Sequence, residues 1–167
     1  VDFDIQGAGN SNAMLHGLRF TGLSLPSNAV VTRAQIEFTV RDVEDDTAVP
    51  LIIQGEKRDS GDFKNGNNKV SERTRTDAAV AWTLFGDYSN GDKVLTTDVS
   101  DIVSEIISDA SWNPSGGGED DIVFIVDPGT GSSDGHFELY TYDGASGVGS
   151  RPTLYLEYYV GTAPAEY

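Results

Sequence analysis

The chain is predicted to be all-β, an antiparallel β-sandwich of the jelly-roll kind with one short α-helix. Three observations predict it. Several segments alternate apolar and polar side chains with a period of two. The 19 glycines fall between apolar runs, where tight turns belong. Only one segment carries apolar residues at helical spacing. Many short alternating strands joined by glycine-rich turns make a sandwich.

The elements follow in order. "MLHGLRFTGLSL" carries Leu18 and Phe20 in alternation, and "LPSN" turns the chain, with Pro26 fixing its own backbone dihedral. In "TRAQIEFTVRDV", Ala34, Ile36, Phe38 and Val40 alternate with Arg33, Gln35, Glu37, Thr39 and Arg41, so one face is buried and the other wet. "VPLIIQGEKRD" reads as a third strand ending in charge. "DDIVFIVD" is a continuous β-branched and aromatic run, the pattern of a strand covered on both faces. "HFELYTYDG" sets Phe137, Leu139 and Thr141 against Glu138, Tyr140 and Tyr142, and "TLYLEYYV" closes the fold with Leu154, Leu156 and Tyr158 opposite Tyr155, Glu157 and Tyr159. About seven strands result. The exception is "TTDVSDIVSEIISDASW", where Val99, Ile102, Val103, Ile106 and Ile107 recur at helical spacing. Asp98 is placed to cap that helix and Asp101 to face its positive end. Trp112 follows it directly and is expected to cover its apolar face.

A length of 167 residues fits one domain, assigned here to residues 1–160. The abrupt start on Val1 and the ending "GTAPAEY" are read as a module of a longer protein, with 161–167 a linker remnant. The opening "VDFDIQGAGN" lacks the basic and apolar regions of a signal peptide. No apolar run approaches the length of a membrane span. With no cysteine, a disulfide framework and a thiolate zinc site are excluded.

Net charge is -16, which argues against a nucleic-acid partner and against an anionic membrane surface, since both recruit Lys and Arg. Dispersed acidity of this kind keeps a protein soluble and monomeric, and fits a secreted or marine origin. Against that background Lys57, Arg58, Lys64, Lys69, Arg73 and Arg75 place six of the 11 basic residues in one long polar stretch. Long loops inside compact domains are often functional.

The order of these pieces resembles secreted bacterial β-sandwich modules of the DNRLRE type and related carbohydrate-binding modules. "LRFTGLSLPSNAVVTRAQIEFTV" is similar to their opening hairpin, "TTDVSDIVSEIISDASW" to their single helix and tryptophan, and "RPTLYLEYYV" to their closing strand. "QGEKRD", "SERTRTDAAVAW" and "YTYDG" fit a related set of secreted modules of unassigned role. The resemblance spans about Leu18 to Val160. It implies a polysaccharide partner, with the module covalently joined to a degradative enzyme.

The residues offer three kinds of chemistry. Aromatic rings stack on the apolar C–H faces of sugars while guanidinium groups reach their hydroxyls. Arg58, Arg73, Arg75, Trp82, Tyr140 and Tyr142 are the candidates. Arg73 and Arg75, two apart, point the same way on an extended segment; pairing with Glu72 and Asp77 is the alternative use for them. Trp82, on an "AAVAW" run, is left open between core and binding face. Oxygen donors for a structural calcium ion are available in "RDVEDD" and "GEKRD", and Asp42, Asp46, Glu56 and Asp59 are the chosen set. "GGGEDD" is a further acidic loop. For catalysis the only histidines are His16 and His136, neither in a recognisable motif. A polysaccharide lyase on a jelly roll can use a Tyr, a His and an Arg, and His136 with Tyr140 and Arg73 is such a set.

The reading is a non-catalytic module that brings an enzyme to an algal galactan (agarose or porphyran) or alginate. A calcium-stiffened structural or adhesive module is the alternative, and a lyase the third.

Overall fold

A computed structural model describes residues 2–9, 14–57, 63, 69–113, 121–129, 133–145 and 147–161. Among the described residues nine strands are formed: β1 (Asp2–Gln6), β2 (His16–Phe20), β3 (Ala29–Asp45), β4 (Val49–Glu56), β5 (Arg75–Leu84), β6 (Lys93–Leu95), β7 (Ile122–Asp127), β8 (His136–Tyr140) and β9 (Thr153–Val160). The one α-helix, α1 (Ser100–Ser108), lies between β6 and β7.

The strands make two antiparallel sheets. The first runs β1-β8-β3-β6, and the second runs β2-β7-β4-β5. Those two orders, with successive strands repeatedly crossing between sheets, are the eight-strand jelly-roll arrangement. β9 is added to it, pairing with β3. β3 is long enough to take two neighbours in succession: Ala29 to Glu37 pair with β9, and Val40 to Asp45 pair with β8.

Alternation explains the core. On β3, Ala34, Ile36, Phe38 and Val40 are all buried, while Arg33 is exposed. Phe38 of the first sheet stacks on Trp82 of the second, with ring centroids 5.6 Å apart and planes 15° apart. Such pairs add roughly 0.5–1.5 kcal/mol beyond the area they bury. β7 is buried along Ile122–Val126, as its unbroken apolar run predicts. α1 turns Ile102, Val103, Ile106 and Ile107 inward. At Gly55 of β4 a Cβ would lie 2.6 Å from Ile106 and 2.7 Å from Ile102, so the missing side chain lets the helix approach the strand. Trp112 is buried behind it and donates its indole N–H to the Leu25 carbonyl at 2.8 Å.

Part of the outward face of the second sheet is covered too. Gly17 of β2 sits under Phe63 and Val70, since a Cβ there would lie 2.5 Å from the Phe63 ring and 3.0 Å from Val70. Phe63 and Val70 are the apolar residues of an otherwise polar connection between β4 and β5. They cover the outward side of β2 at Gly17.

Candidate functional site

The basic cluster that stands out in the sequence separates in three dimensions. Arg73 is buried, its side chain 1 % exposed, and its guanidinium lies 2.5 Å from the equally buried Glu56 carboxylate. It also sits 4.4 Å over the Phe63 ring. Arg75 does turn to the same side, but bonds Asp127 at 3.0 Å and Gln54 at 3.2 Å. The acids that take these arginines come from neighbouring strands rather than from Glu72 and Asp77, which face Lys69 and Lys57. Arg73 is therefore part of the support under the β4–β5 connection and is not a surface ligand group. Lys57 is held on Asp77 and Glu105, and the hydrogen bond to Asp77 raises its pKa. Arg58 and Lys64 lie outside the described residues.

Trp82 belongs to the core, 4 % exposed and stacked on Phe38. A ring used in this way cannot also stack on a sugar. Of the oxygen donors proposed for calcium, the three that are described, Asp42, Asp46 and Glu56, do not meet in one group. Glu56 is committed to Arg73, Asp42 accepts the Val43 N–H, Asp46 is exposed, and Asp59 lies outside the described residues. The set His136, Tyr140 and Arg73 is likewise divided. The first two stand on the outward side of β8, opposite the buried Phe137 and Leu139, while Arg73 lies against the other sheet.

What the fold does build is a cleft at the edge where β2 meets the turn after β8. Its volume is about 440 Å³, within the size range of small-molecule sites. Its apolar surface comes from Phe3, Leu18, Phe20, Phe63, Tyr142 and Pro152, and its polar groups from Arg19, Thr141 and Asp143. Among the described residues Tyr142 is the most exposed aromatic, at 64 %, with Phe85 at 63 %. The Arg151 guanidinium lies 3.9 Å from the Tyr142 ring centroid, a cation–π contact. Arg19 is fixed by Asp121 at 2.6 Å, and Asp121 also accepts the Gly22 N–H. Tyr140, half-buried, meets the Asn90 amide at 3.4 Å on another part of the surface.

Compared with known proteins, the chain matches no protein-family model and no curated sequence. The functional reading therefore rests on the site itself.

Two further surface features complete the geometry. A shallow groove of about 270 Å³ on the outward side of β3 and β9 is lined by Arg33, Gln35, Glu37, Leu95, Tyr155 and Glu157. Among the described residues, Glu44, His136 and Glu138 bring three potential metal-ligating atoms within 4.8 Å of one another. Sequence reading passed over Phe63 and Arg151 as contributors to the cleft. The signal for Phe63 was its isolation: a lone aromatic in a polar stretch needs somewhere to be buried. Arg151 had no such signal, because its meeting with Tyr142 depends on how the β8–β9 connection folds back.

Proposed function

We propose that the chain is a non-catalytic carbohydrate-binding module and that the Tyr142 cleft holds the glycan. The observation that carries this reading is an exposed tyrosine, in contact with Arg151, at the mouth of an aromatic-lined cleft with polar groups at its rim. A pyranose presents an apolar C–H face that such a ring accepts, while Arg19, Thr141 and Asp143 offer donors and acceptors suited to its hydroxyls. The strong overall negative charge favours neutral galactans such as agarose over polyanions, and the two arginines beside the cleft keep porphyran and alginate within the candidate set. In a secreted parent protein, a monomeric module of this kind would raise the local concentration of an attached catalytic domain at its polysaccharide.

Affinity electrophoresis through gels containing agarose, porphyran or alginate tests the reading. Retardation is expected on at least one of them, and Tyr142→Ala is expected to weaken it about tenfold, the equivalent of about 1.4 kcal/mol. Tyr155→Ala, on the separate groove, should leave retardation unchanged. Free migration in all three gels, or equal retardation of Tyr142→Ala and the parent chain, would overturn it.

A further inference from the structure

We infer that Glu44, His136 and Glu138 form a binding site for a divalent transition-metal ion of the zinc class, with Asp4 as the carboxylate that orients the histidine. The site is independent of the cleft and of the glycan reading.

The sheet creates this grouping. His136 and Glu138 are two apart on β8, and because Phe137 and Leu139 are buried, both project from the opposite, outward side. On β1, Phe3 and Ile5 point into the core, which turns Asp4 outward; Asp4 is the register partner of Glu138. On β3, pairing with β8 jumps from Val43 opposite Phe137 to Asp45 opposite His136, leaving Glu44 as the extra residue of a bulge. Bulges re-aim side chains, and this one brings the Glu44 carboxylate to His136. Three adjacent strands thus contribute to one point on the surface.

The distances fit a ligand set. His136 Nδ1 lies 2.9 Å from Glu44 Oε2, and His136 Nε2 lies 2.6 Å from Asp4 Oδ1. Asp4 is itself held, since the Gln6 amide donates to the same Oδ1 at 2.8 Å. Nδ1 faces a ligand group, while Nε2 lies close to the Asp4 carboxylate without a hydrogen bond to it, so a ring rotation would complete the support that surrounds metal-bound histidines. The atoms of Glu44, His136 and Glu138 lie within 4.8 Å of one another, so small side-chain rotations bring them onto a common ion at about 2.0–2.2 Å. A nitrogen donor among carboxylates selects a zinc-like ion over calcium, which takes oxygen alone.

Charge points the same way. Three carboxylates, those of Asp4, Glu44 and Glu138, meet here; Arg41 pairs with Glu138, in a partly exposed contact that a bound ion would displace. The histidine's side chain is only 17 % exposed, whereas Glu44 at 57 % leaves an open approach from solvent. Bound metal would tie β1, β8 and β3 together at one point.

The experiment uses the whole chain after treatment with a chelator. Its two histidines make proton NMR of the imidazole carbons unambiguous, with His16 as the internal control. Zn²⁺ is expected to shift the His136 signals and leave those of His16 in place. At a hundredfold excess over Kd it should also raise Tm by about 5–10 °C. Glu44→Gln, an exposed substitution that leaves the core untouched, should abolish both effects, and His136→Gln should abolish the rise in Tm. Ca²⁺ should produce neither. His136 signals that do not respond to Zn²⁺ would overturn the proposal. So would a Zn²⁺ response that survives Glu44→Gln, or an equal response to Ca²⁺.

Discussion

Arg73 shows how the same guanidinium can serve two opposite ends. On a surface it would recruit a ligand; here it neutralises Glu56 beneath Phe63. Removing one member of a buried pair strands the other charge, at a cost of about 3–5 kcal/mol. Arg73→Ala should therefore lower stability by that amount in equilibrium denaturation. Arg75→Ala, whose partner Asp127 is partly solvated, should cost roughly 0.5–1 kcal/mol. Similar small losses for both would show that Glu56 is not isolated by the change. Loss of glycan retention in Arg73→Ala would then report unfolding and not a lost contact.

The helix is attached to the sheets by two carboxylates. Asp98 lies one residue before the Val99 N-cap, and its Oδ1 accepts the N–H groups of Ser100, in the first turn, and of Ala34 on β3. Glu105 accepts the N–H groups of Asp77 and Ala78 on β5. For both groups burial alone would raise the pKa, but these hydrogen bonds outweigh it and hold each carboxyl below its ordinary value, with Lys57 assisting at Glu105. A carboxyl lowered in the folded state contributes its full stability above the unfolded pKa, near about 4. The contribution is lost as pH falls through the lower folded value. Protection factors for amide exchange at Ala34, Asp77 and Ala78, taken against the intrinsic rate at each pH, should fall between about pH 5 and pH 2, ahead of those of the β7 amides. Glu105→Gln should flatten that dependence at Asp77 and Ala78 while leaving Ala34 unchanged. An identical pH profile for parent and variant would refute the role given to Glu105.

For the molecule as a whole, the dominant electrostatic fact is a net charge of -16 on a single sandwich. Self-repulsion of that size opposes the compact state, and salt screens it as the Debye length falls from about 30 Å at 0.01 M to about 3 Å at 1 M. Tm should rise steadily with sodium chloride at neutral pH. A flat or falling curve would mean that the ion pairs, including Arg75–Asp127 and Arg41–Glu138, lose as much to screening as the dispersed acids gain.

Much of this architecture was legible in the linear chain. The period of two in β3 and β8, the continuous run of β7 and the helical spacing of α1 each state which side chains face inward, because backbone geometry makes that a local property. β1, β5 and β6 were harder to read. β1 and β6 are short, and β5 is rich in alanine, so their strand character comes from pairing with neighbours. The order of pairing, the two sheets and the partners of each charge are non-local. Trp82 could be assigned to the core only once Phe38 was found across from it, and Arg73 only once Glu56 was found beside it. Tyr142 was singled out from its strand pattern, yet the cleft around it needs β2, Phe63 and Arg151 to converge. The local pattern decided which faces were apolar and which were wet. Tertiary structure alone decided which polar groups met, since a charge finds its partner through space and not along the chain.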